Sequence, residues 1–237
     1  LVMKRIQQMD VFHRINRWVA ISEAQKQVHI EMGIPGDRID VIHHFYEPKG
    51  PVLPLPKDGY ALFLGRLSNE KGCMDLVKAW RLMPPGRKLV IAGTGPELPA
   101  LEAMVASARL TNVHFTGFVS KECQDALWQG ASFLVVPSVW LEPFGMVVLE
   151  AWSRGRPVVA YAIGALPELV ADGRTGLLVR PFDVNGLAAA MERLFENPDE
   201  LAALAEAGRR ELEARFSKAV WISKIHATYE KTLSTPL

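Results

Sequence analysis

Residues 132–161 read SFLVVPSVWLEPFGMVVLEAWSRGRPVVAY. The stretch begins and ends with short apolar runs, and between them lie a Pro- and Gly-containing loop and a helical pattern that stops at Gly155. Apolar runs without alternation are typical of strands covered on both faces, and a strand–loop–helix–strand unit joins parallel neighbours. The stretch therefore predicts one repeat of a parallel α/β sheet.

The same unit recurs along the chain. Strands are predicted at 18–21, 60–65, 88–93, 113–117, 132–138, 156–161 and 176–179. Helices are predicted at 22–32, 73–83, 97–108, 121–128 and 145–154, and three more without intervening strands at 184–195, 198–214 and 217–233. The repetition predicts an α/β fold with a Rossmann-like, doubly wound parallel sheet.

A proline-rich segment divides these repeats unequally. Residues 45–58 hold four prolines and predict a linker, because proline continues neither a helix nor a central strand. Residues 1–44 offer only a helix, a strand, a second helix and a second strand, which is too little to close a domain. We therefore expect the end of a largely missing N-terminal domain, followed by a nearly complete Rossmann-like domain over residues 56–183.

The composition argues against several classes of function. The chain has 237 residues, of which 49% are hydrophobic, and a formal net charge of +1, so nucleic acid is not expected as a partner. Cys73 and Cys123 are the only cysteines, which argues against a disulfide scaffold or a zinc site and fits a reducing compartment. No apolar run approaches the ~20 residues of a membrane span.

Candidate binding residues follow the predicted strands, where open parallel sheets bind ligands. Arg66 and Lys71 lie in the loop after strand 60–65, and Gly72 follows them. A forked guanidinium and a mobile ammonium together suit a diphosphate, and a glycine leaves room for phosphate near the backbone. The alternative is a solvated loop in which Lys71 pairs with Glu70.

The loop GTGPE at 93–97 matches the dinucleotide-binding fingerprint only in part. Gly93 and Gly95 fit the first two glycines of G-x-G-x-x-G, but Leu98 stands in the third place. The next predicted strand, VHFTG, is not closed by a suitable acid. A nicotinamide or flavin site is therefore not expected.

Two carboxylates flank a predicted helix start in the opening stretch. Pro143 and Gly145 fit that start, and its first amides favour an anion. Glu150 lies about 7–8 Å further along the axis, at ~1.5 Å per residue, and Glu142 lies on the other side. A ligand with its diphosphate at the helix start could present one hydroxylated ring to each acid. The alternative for Glu150 is a surface charge, although its neighbours are apolar.

Together these motifs resemble the family 4 retaining glycosyltransferases of the GT-B fold. The resemblance covers residues 17–233, and the spacing of Glu142 and Glu150 resembles the E-x7-E motif. The motifs, in order, are GRLSNEKG, IAGTGPE, GFVS, VVPSVWLEPFGMVVLEAWSRGRPVVA and GALPELVADGRTGLLV. The implied division is an acceptor-domain end and linker over 1–47, a donor-binding domain over 48–215 and a helix over 216–237 that crosses back.

The resemblance implies an enzyme that moves a hexosyl group from a UDP-, GDP- or ADP-sugar to an acceptor hydroxyl with retention, in glycan or glycolipid synthesis. No metal or other cofactor is expected. Arg66 and Lys71 would hold the diphosphate, Glu142 would face the sugar, and Glu150 would accept the ribose hydroxyls. The other residues expected around the donor are Phe144, Gly145, Met146, Val147, Phe118, Val119, Gly93 and Gly95.

Some expectations stay open at this point. The pair His43-His44 stands where many family members read N-G-V-D, and we expect it to be structural. Residues 3–16 place apolar side chains on one face and basic ones elsewhere, which predicts packing on the missing domain, with a membrane surface as the alternative. A cytoplasmic protein is expected, and the isolated chain should bind nucleotide but turn over poorly. A nucleotide-sugar 2-epimerase and a non-catalytic nucleotide-sugar-binding module remain alternative functions.

Overall fold

The computed structural model describes residues 15–48, 50–120 and 123–234. The first half of its elements are β1 (Trp18–Ala20), α1 (Glu23–Glu31), β2 (Ile39–Val41), β3 (Tyr60–Leu64), α2 (Cys73–Trp80), β4 (Leu89–Ala92), α3 (Leu98–Ser107) and β5 (Val113–Gly117). The second half are α4 (Gln124–Gly130), β6 (Ala131–Val136), α5 (Met146–Ser153), β7 (Val158–Tyr161), α6 (Leu166–Leu169), β8 (Gly176–Val179), α7 (Val184–Glu196), α8 (Pro198–Arg215) and α9 (Lys218–Ser234).

Six strands form one parallel sheet in the order β5-β4-β3-β6-β7-β8. The chain starts at β3, builds outward through β4 and β5, and then returns to start again at β6 on the other side of β3. The prediction of a Rossmann-like, doubly wound sheet is confirmed. Its switch point lies between β3 and β6, and ligands of such sheets bind outside the carboxyl ends of the strands at that point.

Apolar side chains alternate between two buried clusters, one on each face of this sheet. In β3, Ala61 and Phe63 belong to the first cluster and Leu62 belongs to the second; in β6, Phe133 and Leu134 divide in the same way. Helices α2 and α7 cover the first face, and α5 covers the second. Burial on both faces explains why the strands read as unbroken apolar runs.

Prolines lie beside three of the element ends that differ from prediction. Helix α2 was predicted to reach residue 83 but ends at Trp80, shortly before Pro84, because a residue that precedes proline is driven out of the helical region. Strand β6 ends at Val136 and β7 begins at Val158. Pro137 and Pro157 adjoin these ends, and neither can donate a backbone hydrogen bond to the sheet.

A smaller unit precedes the main sheet. Strands β1 and β2 form a parallel pair around α1, which is the strand–helix–strand order predicted for this part. Helix α9 returns to this unit, and Thr228 Oγ1 donates to Asp40 Oδ2 at 2.9 Å. Most of the basic segment predicted at 3–16 lies outside the described residues, as do the first residues of the helix predicted at 121–128.

The proline-rich segment is fastened to the main domain by Arg156. This side chain is fully buried, and its guanidinium donates to the carbonyl oxygens of Leu53 at 3.0 Å and Pro54 at 2.9 Å. Burial lowers the pKa of the Arg156 guanidinium to about 10. Because carbonyl oxygens satisfy its donors, the residue holds the segment in place with no carboxylate partner among the described residues.

Candidate functional site

One cavity of about 830 Å³ opens at the switch point of the sheet, a size typical of small-molecule sites. Loops after β3, β4, β5 and β6 meet there because parallel strands end at the same edge. The residues expected around the donor all line this cavity: Arg66, Lys71, Gly93, Gly95, Phe118, Val119, Glu142, Phe144, Gly145, Met146, Val147 and Glu150. Their roles toward a ligand stay predictions.

Three side-chain donors converge on one oxygen of Glu142. Lys71 Nζ lies 2.7 Å from Oε2, Trp140 Nε1 lies 3.1 Å from it, and Ser138 Oγ lies 3.2 Å from it. Glu142 is only 9% exposed, and a buried carboxylate requires such donors because it has lost its water. Among the described residues, none donates to the second oxygen, Oε1.

Lys71 forms its ion pair with Glu142 and not with the adjacent Glu70. Glu70 accepts instead from Ser68 Oγ at 2.6 Å, and this hydrogen bond lowers the pKa of the Glu70 carboxyl. The alternative of a Lys71–Glu70 pair is therefore wrong. An ammonium has three donors, so one bond to Glu142 leaves others for an anion in the cavity.

The second cation of the site has a different environment. Arg66 is exposed and lines the cavity. Its guanidinium makes no hydrogen bond or salt bridge to the residues in the ranges 15–48, 50–120 and 123–234. A guanidinium in this position can turn its five donors toward a bound anion without first breaking an ion pair.

Helix α5 begins at the cavity without a side-chain cap. Its N-cap is Gly145, with φ of 101°, a left-handed conformation that favours glycine. Met146 and Val147 follow in the first turn and line the cavity. The first N–H groups of a helix lack partners within the helix and carry its positive dipole end, so this start suits an anion.

Glu150 lies on the same helix, one turn further from the start, and is partly exposed to the cavity. Its neighbour Leu149 is fully buried. Burial raises the pKa of the nearby Tyr46 phenol, and the negative charge of Glu150 adds to this effect. The two acids of the opening stretch therefore line one cavity on either side of a helix start.

Two glycines of the predicted site are required by the packing of the loops themselves. A Cβ on Gly93 would overlap the carbonyl oxygen of Gly65, and a Cβ on Gly95 would overlap that of Leu67. The loop after β4 is therefore pressed against the loop after β3. This contact brings both loops to the rim of the same cavity.

Sequence reasoning missed several residues of the cavity. Trp140 and Ser138 belong to the loop before Glu142, and their proximity to that acid in the sequence was the available signal. Thr94 lies between the two glycines of the GTGPE loop, which was the signal for it, whereas nothing in the sequence context of Gln124 and Ile21 marks them as residues of the cavity. His44 lines it as well, with its ring 5.2 Å from that of Phe144.

The N-terminal unit also holds the loop that carries Glu142. Ser22 Oγ donates to the carbonyl oxygen of Pro143 at 2.7 Å. Glu168, which belongs to α6 in the main domain, accepts from the N–H groups of Glu23 at 2.8 Å and Ala24 at 2.7 Å. The start of α1 is thus bound to the main domain beside the cavity.

The part of the chain that the structure describes holds neither a candidate metal centre nor a candidate membrane span. No three His, Cys, Asp or Glu side chains in this part of the chain are grouped so that they could hold a metal ion. None of its helices has the length and apolar character needed to cross a membrane.

Comparison with protein families identifies the chain. A family model described as "Glycosyl transferases group 1" matches residues 49–211, more than half of the sequence. The chain belongs to this family. The match includes every loop that lines the cavity from the main sheet, and it excludes β1, α1 and β2.

Two curated relatives of this group 1 glycosyltransferase chain are longer than it is. A glycogen synthase of Mycobacterium tuberculosis is 38% identical over 167 residues, which cover 68% of this chain and 40% of that protein. The D-inositol 3-phosphate glycosyltransferase of Mycolicibacterium paratuberculosis is 34% identical over 230 residues, covering 89% of this chain and 51% of that protein. The chain thus spans about half or less of the length of these relatives.

Solved structures show the same fold. The Anabaena protein HepE in complex with UDP and glucose superposes with a TM-score of 0.85 at 23% identity, covering 97% of this chain and 66% of that one. Sucrose-phosphate synthase from Thermosynechococcus elongatus gives 0.80 at 28% identity, covering 91% and 58%. The fold of the group 1 chain is therefore that of the GT-B glycosyltransferases.

Proposed function

We propose that this chain is the donor-binding part of an enzyme that transfers a hexosyl group from a nucleotide-diphosphate sugar to an acceptor hydroxyl. The observation that carries the proposal is the convergence of two cations, an uncapped helix start and two carboxylates in one cavity. Membership of the group 1 family supports it. The relatives are named as glycosyltransferases, which does not favour the epimerase or the non-catalytic alternative.

The diphosphate would lie at the start of α5. There the amides of Met146 and Val147 would donate to it, and Arg66 and Lys71 would neutralise its charge. Positive groups at this place also stabilise the nucleoside diphosphate as it leaves. This supports the further proposal that transfer needs no metal ion or other cofactor.

The two acids would address the two sugar rings of the donor. Glu150 would accept hydrogen bonds from the ribose hydroxyls, and Glu142 would face the transferred sugar beside Phe144 and Gly145. Phe118 is 77% exposed at the cavity, where it and Val119 would border the base. A carboxylate oxygen accepts hydroxyl hydrogen bonds well, which supports both assignments.

The remaining proposals rest on the resemblance to family 4. Transfer would retain the anomeric configuration, which NMR of the product would test. The acceptor would bind mainly to an N-terminal domain, of which residues 1–47 are the terminal part, with residues 48–215 binding the donor and residues 216–237 crossing back. Free thiols at Cys73 and Cys123 support a reducing, cytoplasmic location.

Thermal unfolding of the chain with UDP-glucose, GDP-glucose and ADP-glucose tests the donor site. The preferred donor should raise the midpoint of unfolding, because a ligand that binds the native state stabilises it. UDP-glucose is the first probe, since HepE was solved with UDP and glucose. A chain whose midpoint none of the three raises would contradict the proposal.

Substitution of one cation then tests the diphosphate assignment. Arg66→Ala should weaken binding of the selected nucleoside diphosphate at least tenfold, or about 1.4 kcal/mol, as measured by calorimetry. Arg81→Ala is the matched control, because Arg81 is an exposed arginine that does not line the cavity. Equal affinity in both variants would show that Arg66 does not contact the diphosphate.

A further inference from the structure

Trp140 makes two contacts at the cavity that its exposure does not suggest. Its side chain is 42% exposed and lines the cavity. Its indole N–H donates to Glu142 Oε2 at 3.1 Å, and its ring centroid lies 5.3 Å from Lys71 Nζ. An aromatic side chain that satisfied only packing would be expected to bury its N–H or leave it in water.

The three donors to Glu142 differ in rigidity. The Lys71 ammonium sits on a flexible stem, and the Ser138 hydroxyl rotates about its own bond. The indole N–H has one direction, which is fixed once the ring is placed. The terminal torsion of a carboxylate is broad, so a donor with a fixed direction restricts the plane of the carboxylate and the direction of its second oxygen.

Lys71 has two uses at this place. Its ammonium pairs with Glu142 at 2.7 Å, and under the proposed function its other donors serve the diphosphate of the donor. Any shift of this ammonium toward phosphate leaves Oε2 to the donors from Trp140 and Ser138. Of these two, only the indole N–H has a fixed direction.

We propose that Trp140 is a positioning residue that sets sugar specificity. Its N–H holds Glu142 Oε2, so that Oε1 is the oxygen presented to the hydroxyl groups of the transferred sugar. The ligand class is a nucleotide-linked hexose, and the selection is among hexoses that differ in the direction of a hydroxyl group. This inference rests on the proposed function, because it requires a nucleotide sugar in the cavity.

Calorimetry on the 237-residue chain and its Trp140→Phe variant tests the inference. The probes are UDP, UDP-glucose and UDP-galactose, replaced by GDP, GDP-glucose and GDP-mannose if the guanine donor is the one that stabilises the chain. Phenylalanine keeps an aromatic ring beside Lys71 but removes the N–H. We expect the affinity for the free nucleoside diphosphate to stay within twofold. The ratio of the affinities for the two epimeric nucleotide sugars should fall about tenfold, as for loss of a hydrogen bond to a charged group.

Leu141→Ala is the matched control. Leu141 is 63% exposed in the same loop and does not line the cavity, so its substitution should leave the sugar ratio unchanged. Thermal unfolding of each variant confirms that it is folded. An unchanged sugar ratio in Trp140→Phe, or an equal loss of affinity for diphosphate and sugar conjugates, would overturn the role of Trp140 and leave the nucleotide site standing. Failure of the unsubstituted chain to bind any probe would overturn both.

Discussion

Gly72 lies where the loop after β3 contacts the loop after β6. Its φ is 70°, and a Cβ there would overlap the carbonyl oxygen of Pro137. The sequence predicted that the absence of a side chain at Gly72 leaves room for phosphate. In the structure, the carbonyl group of Pro137 occupies this room. The contact holds Lys71 against the loop that carries Glu142, so this glycine shapes the site through its packing.

Gly72→Ala should therefore lower the free energy of unfolding by about 3 kcal/mol or more, since left-handed strain adds to the steric overlap. Gly86→Ala is the matched control. Its φ is 98° and no described residue lies within 4 Å of a Cβ there, so only the strain of about 1 kcal/mol remains. Urea unfolding measures both, and equal losses would show that the overlap is relieved at no cost.

The sequence predicted which residues line the site, but not which of them contact each other. The loops with Arg66, Lys71 and Glu142 could be placed on one edge because the strands before them were recognisable. The Lys71–Glu142 pair could not be predicted, because it depends on β3 and β6 being neighbours, and sequence order does not state the order of strands. Trp140 was missed because an aromatic residue in a loop resembles ordinary packing.

Helix α1 is the element that fastens the N-terminal unit beside the cavity. Its own Ser22 caps it by accepting from the N–H of Gln25 at 3.0 Å, while Glu168 accepts from the two preceding N–H groups. Both acceptors are needed because the first N–H groups of a helix have no partner within it. The carboxylate also lies at the positive end of the helix dipole.

Glu168→Ala should cost about 1–2 kcal/mol of stability, as for the loss of a helix cap. Hydrogen exchange of the α1 amides should become faster, and Glu168→Gln should show a smaller effect because it keeps an acceptor oxygen. Glu206→Ala serves as the control, since Glu206 pairs only with Arg209 and Arg210 along α8 among the described residues. Unaltered exchange in α1 of the Glu168→Ala variant would contradict the capping role.

His43 lies where three parts of the molecule pack together: the N-terminal unit, the loop after β6 and the last helices. Its ring lies 5.8 Å from that of Phe144 and 5.7 Å from that of Phe216. Its Nε2 lies 3.4 Å from Glu168 Oε2. The expected structural role of His43 agrees with this packing, whereas its neighbour His44 turns to the cavity.

Burial lowers the pKa of His43 below its ordinary value of 6.5, against the opposing effect of Glu168, while the charges of Lys224 and Arg215 lower it further. Between the lowered pKa and 6.5 the unfolded chain binds more protons than the folded one, so stability rises with pH in this window. The free energy of unfolding should therefore decrease as the pH falls from 6.5 to the pKa of His43 in the folded chain, because the unfolded chain takes up the proton first.

Urea unfolding of the chain and of His43→Phe, measured from pH 7.5 downward, tests this prediction. Phenylalanine keeps an aromatic ring beside Phe144 and Phe216 but cannot take up a proton, so the stability difference between the two proteins should shift in favour of the variant as the pH drops below about 6.5. His114→Phe is the control, because His114 is exposed on β5. A difference that stays constant across the window would mean that His43 is not held neutral by the packing of the two units.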